Sequence, residues 1–465
     1  MHPQPGRGSY CRLVNSYRFC RFVPHQHQHQ HQHHLHHHHQ GRDLGRHCRR
    51  GLGRDLRSCR ASRPAAPWLG ALVLAAALVL QGAAMAAPFV PSADSQVLER
   101  LPARASDPRS RTLAALRLAL AQAPGDAAAA VALAQAYFNA MAAEGDPRYV
   151  GHAQAALAPW WNLPDPPSSV RVIRAMLLQF DHQFEPALAD LDAALRADPE
   201  QPQAWAWRAA IHLVRADYGL ARASCQGLSS RVPPLVGIAC LAQVDAVTGR
   251  TAQAAAALRQ ALADNPGASA DQRLWVLTRL AETEERRGAW ALAEAAFRQA
   301  LALNIADVYL LGAYADFLLD QQRPAEVLGL LTDRGRADVL LLRQALAARA
   351  LGNAAPAGAA QTWARELAAR FDAARLRGDT THQKEESRFL LALGPPGVAN
   401  VQQSLKLASA NFSEQREPAD ARILLQAALA ARDRVAAEPA FAWLTASAID
   451  SVVLRALAEQ VRALP

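Results

Sequence analysis

Two groups of residues in this 465-residue chain have types and spacings that could do chemistry. His25 to His39 alternates His with Gln and holds ten His, enough imidazole to chelate a borderline metal ion. No spacing within it fixes a coordination geometry. An unstructured tail, or translated sequence ahead of the used start codon, is the plainer account, and no metal site is assigned. The second group is Cys225 and Cys240, close enough in sequence to be bonded or to be two buried thiols. Catalytic patterns are missing: there is no Gly-rich phosphate loop, no Gly-x-Ser-x-Gly elbow and no His-Glu-x-x-His helix. His152, His182, His212 and His382 are scattered, with His182 in a turn and His212 inside a helix, and read as solvated or core histidines. Lys384-Glu385-Glu386 reads as a solvated helix face. The chain is therefore expected to be no enzyme and to carry no cofactor.

The elements that would position any site are helices. Half the residues are apolar, much of that Ala, and strand formers are sparse. The net charge of +9 is misleading, because residues 1 to 86 hold twelve Arg against two Asp, a net +10, and the remaining residues sit at −1. A nucleic-acid partner is therefore not expected. Residues 1–61 form a low-complexity His/Gln/Arg-rich segment that cannot bury a core, and is expected to be disordered. In residues 62–86, basic Arg60 and Arg63 precede an apolar run centred on Leu69 to Leu80 and the small-residue site Ala84-Met85-Ala86. This is a signal peptide in its three regions, with cleavage placed after Ala86. The competing reading is an uncleaved anchor. The expected location is accordingly periplasmic or secreted, or else inner-membrane anchored and facing the periplasm.

Residues 87–125 supply a linker and a first helix, and residues 126–339 a repeating array. Leu277 to Asn304 is its clearest unit: an apolar period runs through Leu280 and Ala281, breaks at Gly288, and resumes at Ala293, Phe297 and Ala300. Two such helices cannot bury their stripes alone, so copies are expected on either side. Ala175, Ala209, Ala242, Ala281 and Ala315 lie at intervals of 34, 33, 39 and 34. Twelve residues after each comes Ala187, Ala221, Ala254, Ala293 or Val327. These pairs mark where two helix backbones approach most closely, so that only small side chains fit. Pro199, Pro233 and Pro266 close three copies. Residues 340–465 stay helical but lose the register, as an irregular set of hairpins and a capping end would.

The period and pattern resemble the tetratricopeptide repeat, on Leu277, Leu280, Ala281, Gly288, Ala293, Phe297 and Ala300, and on Trp205, Ala209, Ala221 and Pro233 in a second copy. The resemblance implies an all-α, right-handed solenoid of stacked antiparallel hairpins that binds a protein or peptide in the groove lined by its first helices. Its groove positions fall here on Val172, Met176, Gln179 and Phe180, on Gln203, Ala206, Ala210 and Leu213, and on Val236, Ala239, Gln243 and Val247. The next two copies place Trp275, Thr278, Glu282 and Glu285, then Tyr309, Asp316, Leu319 and Asp320. An apolar lining thus turns acidic, suited to an extended peptide with Arg or Lys at one end, unless the acids only solvate an exposed face. Lys and Asn, which the family's carboxylate-clamp branch requires, are lacking at these places. In such a solenoid Cys225 and Cys240 fall on neighbouring helices, and an oxidising compartment would join them. The functional expectation is a non-enzymatic periplasmic scaffold for a partner protein or peptide. The alternative is an accessory subunit of an envelope enzyme or export machine, of the polysaccharide-secretion or cytochrome-assembly kind, with membrane contact only through an unprocessed signal.

Overall fold

In the computed structural model, residues 107–465 are described. The His tract, the signal-like segment and most of the linker lie outside them. Helix α1 (Pro108–Gln122) leads into the hairpin α2 (Ala127–Glu144) and α3 (Arg148–Ala156), followed by the short α4 (Ala158–Trp161). Five further hairpins follow: α5 (Ser168–Phe180) with α6 (Phe184–Ala197), α7 (Pro202–Val214) with α8 (Tyr218–Ser229), and α9 (Pro234–Ala246) with α10 (Thr251–Asp264). Then come α11 (Ala270–Arg286) with α12 (Trp290–Leu301), and α13 (Val308–Asp320) with α14 (Pro324–Leu330). The chain ends with α15 (Asp338–Leu351), α16 (Ala359–Leu376), α17 (Gln383–Ala392), α18 (Val398–Glu414), α19 (Pro418–Ala431), α20 (Glu438–Ser447) and α21 (Val452–Arg462). The described residues contain no strand.

The small-residue pairs sit where their spacing puts them. All ten positions from Ala175 to Val327 are at most 2% exposed, so a longer side chain at any of them would force the two helices of its hairpin apart. The hairpin turns keep the same register through the backbone. His182, Ala216, Gly249, Gly288 and Gln322 all adopt positive φ, between 58° and 77°. Only two of the five are Gly, so His, Ala and Gln hold a left-handed conformation that is unfavourable for them. Pro233 is the residue capping the start of α9, and thus opens the next helix as much as it closes α8. Trp160 and Trp161 lie in the single helical turn α4, and both rings pack against the core.

One apolar core runs continuously from α1 to α15, as a solenoid requires, with Phe138, Trp207, Phe297 and Phe317 fully buried along it. A second core is made by α18 to α21 among themselves. A third is made by α15, α16 and α17 around Leu342, Leu367 and Phe371, and Ala216 of the array packs on the second; the polar contacts between array and C-terminal helices are directional. Arg422 donates from both terminal nitrogens to the Asp320 carboxylate at 2.6 Å, and Arg388 reaches Asp316 at 2.6 Å. The Trp443 indole donates to the Tyr218 hydroxyl at 2.9 Å, the Gln415 amide meets His182, and the Arg416 amide donates to the Val214 carbonyl at 2.7 Å. Read along the array, these partners follow the row of hairpin turns. At Gly249 a Cβ would stand 3.1 Å from the Ala448 carbonyl, and at Gly288 it would touch Val452. The C-terminal helices therefore lie along the turn edge of the array.

Candidate functional site

The enclosed space between array and C-terminal helices is a cavity of about 310 Å³. One wall comes from the first helices of successive hairpins: Leu213 on α7, Gln243 on α9, Arg279 to Arg286 on α11, and Tyr309 to Asp316 on α13. The other comes from α15, α17, α19 and the start of α21, with Arg343, Lys384, Arg388 and Arg422 facing inward. Each wall exists for a local reason. α11 is opened by a reciprocal cap, Ser269 accepting from the Gln272 amide while the Gln272 side chain accepts from the Ser269 amide. α19 starts at Pro418, and the amide of Glu417 donates to Asp420 at 3.0 Å.

Seven basic side chains and five acidic ones line the cavity, and the pairs that cross it run from Arg343 and Arg388 to Asp316. Glu282 takes Arg279 Nη1 at 3.0 Å and the Tyr309 hydroxyl, while the Arg279 guanidinium also lies 4.8 Å over the Tyr309 ring. Burial pushes the Asp316 carboxyl up, but Arg343 and Arg388 outweigh it and hold the group down at about 2. For Glu285 burial, and then the negative fields of Asp320 and Glu282, outweigh the opposing charge of Arg422 and push it up to about 8. Burial likewise lowers Arg286, which has no carboxylate partner among the described residues and donates only to Thr283 at 3.2 Å.

The groove expected from the sequence is thus present but not open. In its apolar half Val172, Met176, Gln179, Gln203, Ala206 and Val236 are at most 3% exposed, the apolar ones in the same core cluster as Phe138 of α2, while Phe180, Leu213, Gln243 and Val247 are half-buried. Helix α2 packs on α5, meets α7 through the Phe138–Trp207 contact at 5.8 Å, and reaches α13. Of the candidate partner-binding residues, Gln243, Glu282, Glu285, Tyr309 and Asp316 line the cavity, and Asp320 holds Arg422. Phe180 and Trp275 belong to the apolar core instead. Acids positioned for a foreign Arg or Lys therefore receive the chain's own arginines.

Lys384-Glu385-Glu386 is a correction of a different kind. It is no solvated face: Lys384 pairs with the fully buried Asp420 at 3.1 Å, and Glu386, 5% exposed, is bound by Arg375. Burial opposes the charge on Lys384, yet Asp420 raises its pKa. Sequence reasoning also missed Arg279 and Arg286, whose spacing of seven puts them on one face of α11. Cys225 and Cys240 are joined by a disulfide with Cα atoms 5.5 Å apart, pinning α8 to α9. Among the described residues no cluster of ligands could hold a metal ion, and no helix is long and apolar enough to cross a membrane.

Helix pairs spaced at 34 residues and closed by facing small side chains decide the architecture. It is of the tetratricopeptide type. No family model matches the chain, and no curated protein does. Solved structures with similar helical arrays include the Cut9–Hcn1 hetero-tetramer of APC/C, at 12% identity over 72% of this chain with a TM-score of 0.42. This chain spans 63% of the length of that one. The human IFIT1 dimer with m7Gppp-AAAA is similar at 13% identity over 73% of this chain and 86% of that one, TM-score 0.34. The P58(IPK) TPR domain is similar at 13% over 77% and 94%, TM-score 0.19. At these values no functional argument passes from those proteins to this tetratricopeptide-type array.

Proposed function

We propose that the chain is a non-enzymatic interaction scaffold that is exported to the periplasm or beyond and holds a partner protein or peptide. The observation that carries this reading is how α13 uses its carboxylates Asp316 and Asp320. They grip arginine-bearing helices, Arg388 on Asp316 and Arg422 on Asp320, with the geometry that a basic partner helix would need. A partner of this chemistry takes the places of α17 and α19. Export rests on the signal-like residues 62–86 and fits the Cys225–Cys240 bond, which an oxidising compartment preserves.

Affinity capture with the full chain tests it. The doubly substituted Arg388→Gln/Arg422→Gln protein, whose internal occupant is loosened, should retain more of the same partner than the wild type, and Asp316→Asn/Asp320→Asn should lose it. A partner captured equally by all three would remove the groove from the account. N-terminal sequencing of the mature protein should begin at Ala87; a chain whose residues 107–465 fractionate with the cytoplasm would end the export reading.

A further inference from the structure

Arg279 is 9% exposed, and its Nε and Nη2 have no hydrogen-bond partner; Arg286 Nε is buried and equally without one. Both line the cavity, as does Gln243, whose side-chain amide nitrogen is a third buried donor without an acceptor. A buried guanidinium with idle donors is costly, and native interiors normally supply an acceptor. The carboxylates at hand are largely committed, although Glu417 at the start of α19 also favours the charge on Arg279. Glu282 is already shared between Arg279 and Tyr309, Asp316 between Arg343 and Arg388, and Asp320 is held by Arg422. Glu285 makes no ion pair among the described residues, and its raised pKa leaves it a poor counter-charge near neutral pH. The basic excess of the lining is therefore concentrated where donors are unused.

We propose that this cavity binds a small organic molecule through an oxyanion group, a carboxylate or a phosphate, which Arg279 and Arg286 take between them with Gln243 as a further donor. Planar guanidinium donors match the geometry of either group. Seven positions along α11 separate the two arginines by roughly 10 Å at the backbone. Side chains of that length can converge on one group or bracket a molecule with two. The volume of about 310 Å³ suits a metabolite-sized ligand. Apolar lining from Leu213, Val247 and Val308 would pack on its carbon body. This site is distinct in kind from the protein-binding role above and does not rest on it.

Thermal unfolding and titration calorimetry on the disulfide-intact full chain test the proposal, with inorganic phosphate in one arm and succinate in the other, against chloride at matched ionic strength. The expected result is saturable binding in at least one arm, with a rise in Tm of roughly 2 °C or more near saturation. The responding arm names the group. Arg279→Gln and Arg286→Gln should each weaken that binding about tenfold or more, the loss of one charge-assisted pair. Arg286→Lys should recover part of it, and Arg455→Gln, on an exposed arginine outside the cavity, should leave it unchanged. If Arg286→Gln does not fold, the graded loss in Arg286→Lys carries the comparison. Wild type that binds neither anion saturably, or folded Arg286→Gln that binds as tightly as wild type, overturns the site, and neither result touches partner capture.

Discussion

The array from α5 to α14 and the C-terminal helices α15 to α21 are both bundles of helix hairpins, yet they are specified by opposite means. In the array, position is set by what is absent: alanines at 0–2% exposure let backbones close up, and the apolar stripe does the rest. The C-terminal helices α17 and α19 are tied to the array by what is present, namely arginines reaching carboxylates on α13. Packing of the first kind is non-directional and repeats every 34 residues. Ion pairing of the second kind is directional, and each pair is unique to its site.

Breaking the directional part should cost most. Asp420 is fully buried and accepts from Lys384, from Asn411 at 3.0 Å and from the Glu417 amide, so it ties α17, α18 and α19 together. Asp420→Ala leaves a buried ammonium alone, and urea unfolding should show a loss of about 3–5 kcal/mol. A loss below about 1 kcal/mol would mean the C-terminal helices are held by their apolar core instead. Next comes the covalent pin inside the array. Cys225→Ser with Cys240→Ser removes a cross-link closing 15 residues and should cost about 3 kcal/mol in the same assay. Ala281→Leu tests the small-residue rule directly. Overpacking against Ala293 should cost about 1–3 kcal/mol, whereas a neutral result would show that the hairpin can spread.

A further effect expected is one of pH. Glu285 titrates near 8 in the fold, against an ordinary value of 4.5, so the folded chain keeps a proton that the unfolded chain has released. Its contribution to stability is complete below about pH 4.5 and is lost as pH rises through about 8. Tm should therefore decline over that window, and Glu285→Gln should flatten the decline. Asp316 acts in the opposite sense, because its stabilising pairs fail only as pH falls from 3.8 through about 2.

The same contrast explains what could be read from the amino-acid order. Ala281 and Ala293 announce their packing because a small residue recurring at a fixed interval has few other causes. Gly249 and Gly288 announce their turns for a similar reason, while His182, Ala216 and Gln322 do the same work unmarked. Lys384-Glu385-Glu386 could not be read correctly. A charged triplet on an exposed helix and one whose partners lie on other helices have the same local composition, and only the distant Asp420 and Arg375 distinguish them. The groove suffered likewise: Glu282, Asp316 and Asp320 were legible as a row of acids on first helices, but nothing nearby announces that Arg388 and Arg422 fill it.

Trp443 meets Tyr218 across 225 residues, and Gln415 meets His182 across 233. A chain that is made, or threaded through a membrane, from its N-terminus can stack each hairpin on the last as it emerges, because those contacts are local. The closing contacts must wait for nearly the whole polypeptide. For that interval the Asp320 carboxylate of α13 stands uncovered, and a chain cut short before Pro418, which lacks Arg422, would stay in that state.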